Sequence, residues 1–137
     1  MPLAHMRGTP EAARDELMRY LAEAAWYPTA LLPSQGVVWE PIDDASARAT
    51  LTDGDTTVSL DFHFDAGGLI ERVYCAARNR AGKGTLIAIP WEGRFWRYET
   101  RHGVRIPLEG EVSWLLREGP FPYWRARITR VDYECAE

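Results

Sequence analysis

Hydrophobic and polar positions alternate with a period of two through most of this chain. Val58, Leu60, Phe62 and Phe64 are interleaved with Thr57, Ser59, Asp61 and His63, which sends one set to a core face and the other to a polar face of a β-strand. Residues 91–99 and 123–128 repeat the pattern with aromatic, arginine and glutamate side chains. The N-terminal region departs from it. Ala13, Leu17, Tyr20, Leu21 and Ala24 recur at helical spacing, with Arg14, Asp15, Arg19 and Glu23 turned away, and this predicts an amphipathic helix over 10–25. Thr9 offers a capping hydroxyl, Pro10 suits the first helical position, and Glu11 and Glu16 favour the positive end of the helix dipole. Pro28 ends the helix, and the apolar run 28–33 is expected as a buried connector.

Strands are expected over 37–40, stopped by Pro41, then over 46–52, 57–64 and 69–78. Three or four further strands cover 85–89, 94–101, 104–106 and 111–117, and a long last one falls at 123–133. Turns are marked by Asp53-Gly54, by the run from Asp65 to Gly68, by His102-Gly103 and by Gly119-Pro120, with an open polar loop at 79–84. Residues 1–8 repeat at no structural period and read as a flexible tail. One helix followed by seven or eight sequential antiparallel strands implies an α+β fold. The sheet must curl to bury a face, and a single amphipathic helix plugs the curl. The expectation is a half-barrel forming one domain over 9–137.

Length and composition agree with that reading. A chain of 137 residues, 46% apolar and 26% charged, is ordinary for a single globular domain. No run approaches the roughly 20 apolar residues of a transmembrane helix, and the first residues lack the apolar core of a signal peptide, so a cytoplasmic protein without a membrane span is expected. A net charge of -4 argues against a nucleic-acid partner. Lys83 is the only lysine among 16 basic residues. After residue 90 arginines and acids are equal in number, which points to cross-strand Arg/Glu pairs on a solvated face; an anion site using a bidentate guanidinium is the alternative. Cys75 and Cys135 have neither CxxC spacing nor a secretory context, and read as free thiols; a disulfide requires the last strand to lie beside the fourth.

Several runs together resemble a known set: 19–33 (RYLAEAAWYPTALLP), 38–44 (VWEPIDD), Phe64-Asp65 with Gly68, 90–93 (PWEG) and 105–114 (RIPLEGEVSW). They resemble the C-terminal half of an uncharacterised bacterial family, a domain of unknown function, over about 15–133. The resemblance implies no assigned activity, and it implies an upstream half that this chain lacks. The order of helix then meander is also similar in layout to the half-barrels of periplasmic lipoprotein carriers, an analogy that favours a ligand cup.

Candidate chemistry is sparse. The chain has six tryptophans, and burying one removes roughly 200 Å² from water, on the order of 5 kcal/mol. Most of them are therefore expected as core. The alternative is that Trp96, Tyr98, Trp114 and Trp124 line an opening where a hydrophobic or aromatic small molecule stacks, with Arg97 and Arg105 beside it. Asp61 and His63 lie two apart on the polar side of one strand, where a carboxylate raises the proton affinity of an imidazole. Together with Glu99 they are the candidate acid/base groups of a small cofactor-independent hydrolase or isomerase. Exposed strand polarity explains the same residues. No metal site is implied, because no His or Cys residues have ligand spacing. No cofactor is implied either: the run 81–84 (AGKG) has neither the length nor the following helix of a phosphate loop, and nucleophile and dinucleotide signatures are lacking. The leading expectation is a non-catalytic module binding a hydrophobic small molecule. A small enzyme, and a scaffold that forms a homodimer through a sheet edge or face, are the alternatives.

Overall fold

A computed structural model describes residues 10–81 and 86–129. Helix α1 spans Pro10–Glu23 and continues into three single 3₁₀ turns at Ala24–Trp26, Pro28–Leu31 and Pro33–Gln35. Seven strands follow: β1 (Val38–Asp43), β2 (Ser46–Asp53), β3 (Thr56–Phe64), β4 (Ile70–Ala81), β5 (Leu86–Arg101), β6 (Val104–Leu116) and β7 (Gly119–Arg127). Each pairs antiparallel with the next in chain order, giving a seven-stranded meander that does not close into a barrel. The α+β architecture is the one expected, with one helix laid on one face of the sheet.

The turns follow their residues. Asp43 Oδ1 accepts from the Ala45 N–H and the Ser46 hydroxyl, both at 2.8 Å, and so shapes the β1–β2 turn. Gly54, at φ 60, takes the first loop position between β2 and β3, one residue later than an Asp53-Gly54 turn would have it. His102 and Gly103 both have positive φ, as a two-residue primed turn requires.

Proline explains where the strand boundaries differ from expectation. Pro41 does not stop β1, because β1 is an edge strand and loses no ladder bond there. Pro90 lies inside a single 16-residue β5 instead of separating two strands. On one side it faces a bulge in β4, where Ala76 and Ala77 oppose it alone. On the other it precedes Trp91, where pairing with β6 begins. The missing N–H therefore costs no ladder hydrogen bond. Pro107 similarly sits in a continuous β6, outside the stretch that pairs with β7. Gly119 and Pro120 belong to β7, and the turn moves back to 117–118. Residues 79–81 of the expected loop are strand, since β4 runs to Ala81, and 82–84 lie outside the described residues. The end of the predicted last strand, Cys135 and the 1–8 tail lie outside the described residues.

The helix covers the sheet with Leu17, Met18, Leu21 and Ala22, and the 3₁₀ turn after it adds Ala25, all buried. This stripe is rotated from the expected one: Met18 is fully buried, whereas Tyr20 is 41% exposed. From the sheet come Ala49 and Leu51, Val58, Leu60 and Phe62, Val73 and Cys75. Cys75 is a buried free thiol. The main contacts of α1 with the sheet are to β2, β3 and β4. Geometry sets that limit. Seven strands at about 4.8 Å spacing make a sheet roughly 29 Å across, and a helix is about 10–12 Å wide.

Beyond the helix, aromatic rings take over. Trp26, at the end of the first 3₁₀ turn, donates its indole N–H to the Pro107 carbonyl at 3.0 Å and meets Phe95 edge to face at 5.4 Å. It lies flat against β6 because position 110 is glycine: a Cβ there would come within 3.3 Å of both the Trp26 and the Phe95 rings. At the opposite edge, Trp39 donates to the Leu31 carbonyl at 2.8 Å and packs on Phe62, which anchors the connector.

Candidate functional site

Where the helix stops covering the sheet, the face it packs on opens into a cleft of about 260 Å³. Its floor is Trp91 and Phe95 of β5 with Val112 of β6; Ala22 and Trp26 form the helical wall, and Tyr123 and Trp124 of β7 the facing one. Arg19, Glu23 and Arg78 supply the charge. An engineered apolar cavity of about 150 Å³ in another protein holds a benzene ring, so a one- or two-ring molecule is the matching size.

Two departures from strand regularity build this cleft. In β4 the register shifts between Cys75 and Arg78. Without the extra residue, alternation from Val73 and Cys75 would turn position 78 away; with it, the Arg78 guanidinium comes to lie 4.7 Å from the centre of the Trp91 ring. In β7 the shift between Val112 and Ser113 leaves Tyr123 without a partner across from it. Consecutive residues Tyr123 and Trp124 then share the cleft face, which strict alternation forbids. The Tyr123 ring stacks on Trp114 at 5.3 Å, and its hydroxyl accepts the Trp91 indole N–H at 2.8 Å. Trp124 meets Trp26 edge to face at 6.3 Å. Phe121, Tyr123 and Trp124 nonetheless remain 44–47% exposed.

Of the residues marked from sequence, Trp124 lines the cleft and Trp114 backs it through Tyr123. The others are dispersed. Arg97, at φ 60, interrupts the alternation of β5, so Trp96 and Tyr98 fall on opposite faces. Trp96 lies under the Arg125 guanidinium, 5.8 Å away on the face remote from the helix. Tyr98 packs against the core and donates its hydroxyl to the Ile70 carbonyl at 2.5 Å, and burial pushes its phenol well above the usual range. Arg97 pairs with Glu109 at 3.0 Å, and Arg105 is exposed.

Asp61, His63 and Glu99 do not border the cleft. Asp61 accepts two hydrogen bonds from Arg48, at 2.7 and 3.3 Å, directly across the strand pair. His63 Nε2 is 3.4 Å from Arg72, and Glu99 accepts from Arg101 at 3.0 Å. The face remote from the helix is a lattice of such pairs. Arg125 holds Glu111, and Glu92, 5% exposed, accepts from both Arg72 and Arg94. Burial works to raise the Glu92 carboxyl, but hydrogen bonds from the two guanidinium groups more than reverse it and leave the group below its ordinary value. No group of three or more metal-ligating side chains occurs among the described residues.

The chain fits one known family profile from its first residue through Tyr133. It belongs to the DUF6920 family, a family of unknown function, which matches residues 1–133. The match begins at residue 1, ahead of the 15–133 span of the resemblance. No curated protein and no solved structure matches the chain. Among the described residues, no helix is long and apolar enough to cross a membrane.

Trp26, Trp91, Phe95, Tyr123 and Arg78 were not marked by the sequence reading. Trp91 and Phe95 had a usable signal. Trp91, Gly93 and Phe95 are spaced by two and belong on one face, opposite to Trp96. Tyr123 and Arg78 had none, because a bulge is invisible to a period-two pattern.

Proposed function

We propose that the chain is a non-catalytic binding module that holds a hydrophobic or aromatic small molecule in the cleft between α1 and β7. The observation that carries this reading is the concentration of five aromatic rings, Trp26, Trp91, Phe95, Tyr123 and Trp124, around one opening of about 260 Å³. Two of these rings stay nearly half exposed when the rest of the core is closed. Exposed aromatic surface at a concavity is what a stacking ligand removes from water. The placement of Asp61 and Glu99 in ion pairs, and of His63 beside the Arg72 guanidinium, all outside the cleft, supports binding over catalysis at this site.

Thermal unfolding with 2-naphthylethanol and 2-naphthylacetate as probes tests it. A ligand at 100 times its Kd adds about 2.7 kcal/mol. The expected result is a dose-dependent rise in Tm with at least one probe, lost in Trp124→Ala. A flat response to both, or an undiminished response in that variant, overturns the proposal.

A further inference from the structure

The charged groups at the cleft are not balanced. Arg19 and Glu23 pair with each other at 3.1 Å, one helical turn apart on the exposed side of α1. Arg78 has no carboxylate partner among the described residues; its contact is with the face of Trp91. On the remote face of the sheet, by contrast, guanidinium groups of Arg48, Arg72, Arg94, Arg97 and Arg125 each hold a carboxylate. Arg78 is half-buried, and it reaches the apolar face only through the β4 bulge. Bulges are a means of re-aiming a side chain beside a binding site. The second bulge, in β7, aims Tyr123 into the same cleft. Two independent irregularities thus deliver one cation and one phenol to a single opening.

We infer that the cleft selects a monocarboxylate: a one- or two-ring aromatic body lying between Trp26, Trp91 and Trp124, with its carboxylate on the Arg78 guanidinium. This rests on the binding role proposed above. A guanidinium matches a carboxylate with two parallel N–H···O bonds, and a low-dielectric aromatic surround strengthens them. One positive charge without a carboxylate partner among the described residues, with the Glu23 carboxylate also at the cleft, suits one negative charge better than the two of a phosphate monoester.

The test is a matched pair of probes titrated by calorimetry, 2-naphthylacetate and 2-naphthylethanol, which share the ring system and differ in charge. The acid is expected to bind at least tenfold more tightly than the alcohol. That preference should shrink with added salt and disappear in Arg78→Gln, the two probes then binding alike. Arg78→Lys, which keeps the charge and loses the fork, should retain part of it. Should the glutamine variant not fold, the lysine variant and the salt dependence of the native chain still decide. Equal affinities for acid and alcohol, or a preference that survives in Arg78→Gln, overturn the carboxylate assignment and leave the binding cleft standing. Failure of both probes to bind overturns the two together.

Discussion

The two ends of the sheet's helix-facing side solve the same burial problem differently. Beneath α1, strands β2 to β4 present aliphatic residues and Phe62 to a helix that seals them completely; Val58, Leu60, Phe62 and Val73 are all at most 2% exposed. Over β5 to β7 the α-helix gives way, among the described residues, to the 3₁₀ turn that ends at Trp26. There Trp26, Phe95, Tyr123 and Trp124 cover one another, and the outermost stay partly wet. Aliphatic packing against a rod leaves no room, because small side chains interdigitate to near crystal density. Large flat rings meeting edge to face bridge a wide span but leave gaps between them. The difference teaches that the cleft is a consequence of coverage: a sheet roughly 29 Å wide was given one helix.

This contrast is open to direct attack. The largest effect is expected from Phe62→Ala under the helix, a loss of about 3–5 kcal/mol in urea denaturation; a loss below about 1 kcal/mol would mean the sealed half is not what holds the fold. Next is Gly110→Ala, which drives a methyl into the Trp26 and Phe95 rings. It should cost about 2–3 kcal/mol and alter Trp26 fluorescence, while an unchanged stability would show that Trp26 does not lie on β6. Trp124→Ala should cost about 2–3 kcal/mol, less than Phe62→Ala, since that ring is already nearly half in water. If it destabilises as much as Phe62→Ala, the two ends are packed alike and the comparison fails.

Glu92→Gln, on the remote face, should cost about 1–2 kcal/mol at pH 7. Because the native carboxyl titrates below its unfolded value near 4.3, its contribution is present above that pH and lost as pH falls through the folded pKa. The gap in Tm between the native chain and the variant should therefore close in acid; a gap that widens reverses the sign of the argument.

Much of the fold was legible because its signals are local. The alternation in 57–64 matched β3 nearly residue for residue, and Pro10 marked the start of α1. The Arg/Glu balance anticipated the pairs of Arg97 with Glu109 and Arg125 with Glu111 across adjacent strands. The strand breaks expected at Pro41 and near Pro90 failed for one reason. A proline is tolerated when its N–H side faces an edge or a bulge, and neither is visible without knowing the neighbouring strand. The cleft was less legible still. Trp96 and Tyr98 looked like one face until the positive φ of Arg97 separated them.

By itself the sequence determined the order and type of the elements, the polar and apolar sides of most strands and the abundance of aromatic rings, because period, turn chemistry and composition act over a few neighbouring residues. Only the tertiary structure decided where the helix stops covering the sheet, and which residues the bulges in β4 and β7 turn into the space left over. Those outcomes depend on pairing between strands and on the widths of packed layers, quantities that no short window of sequence contains.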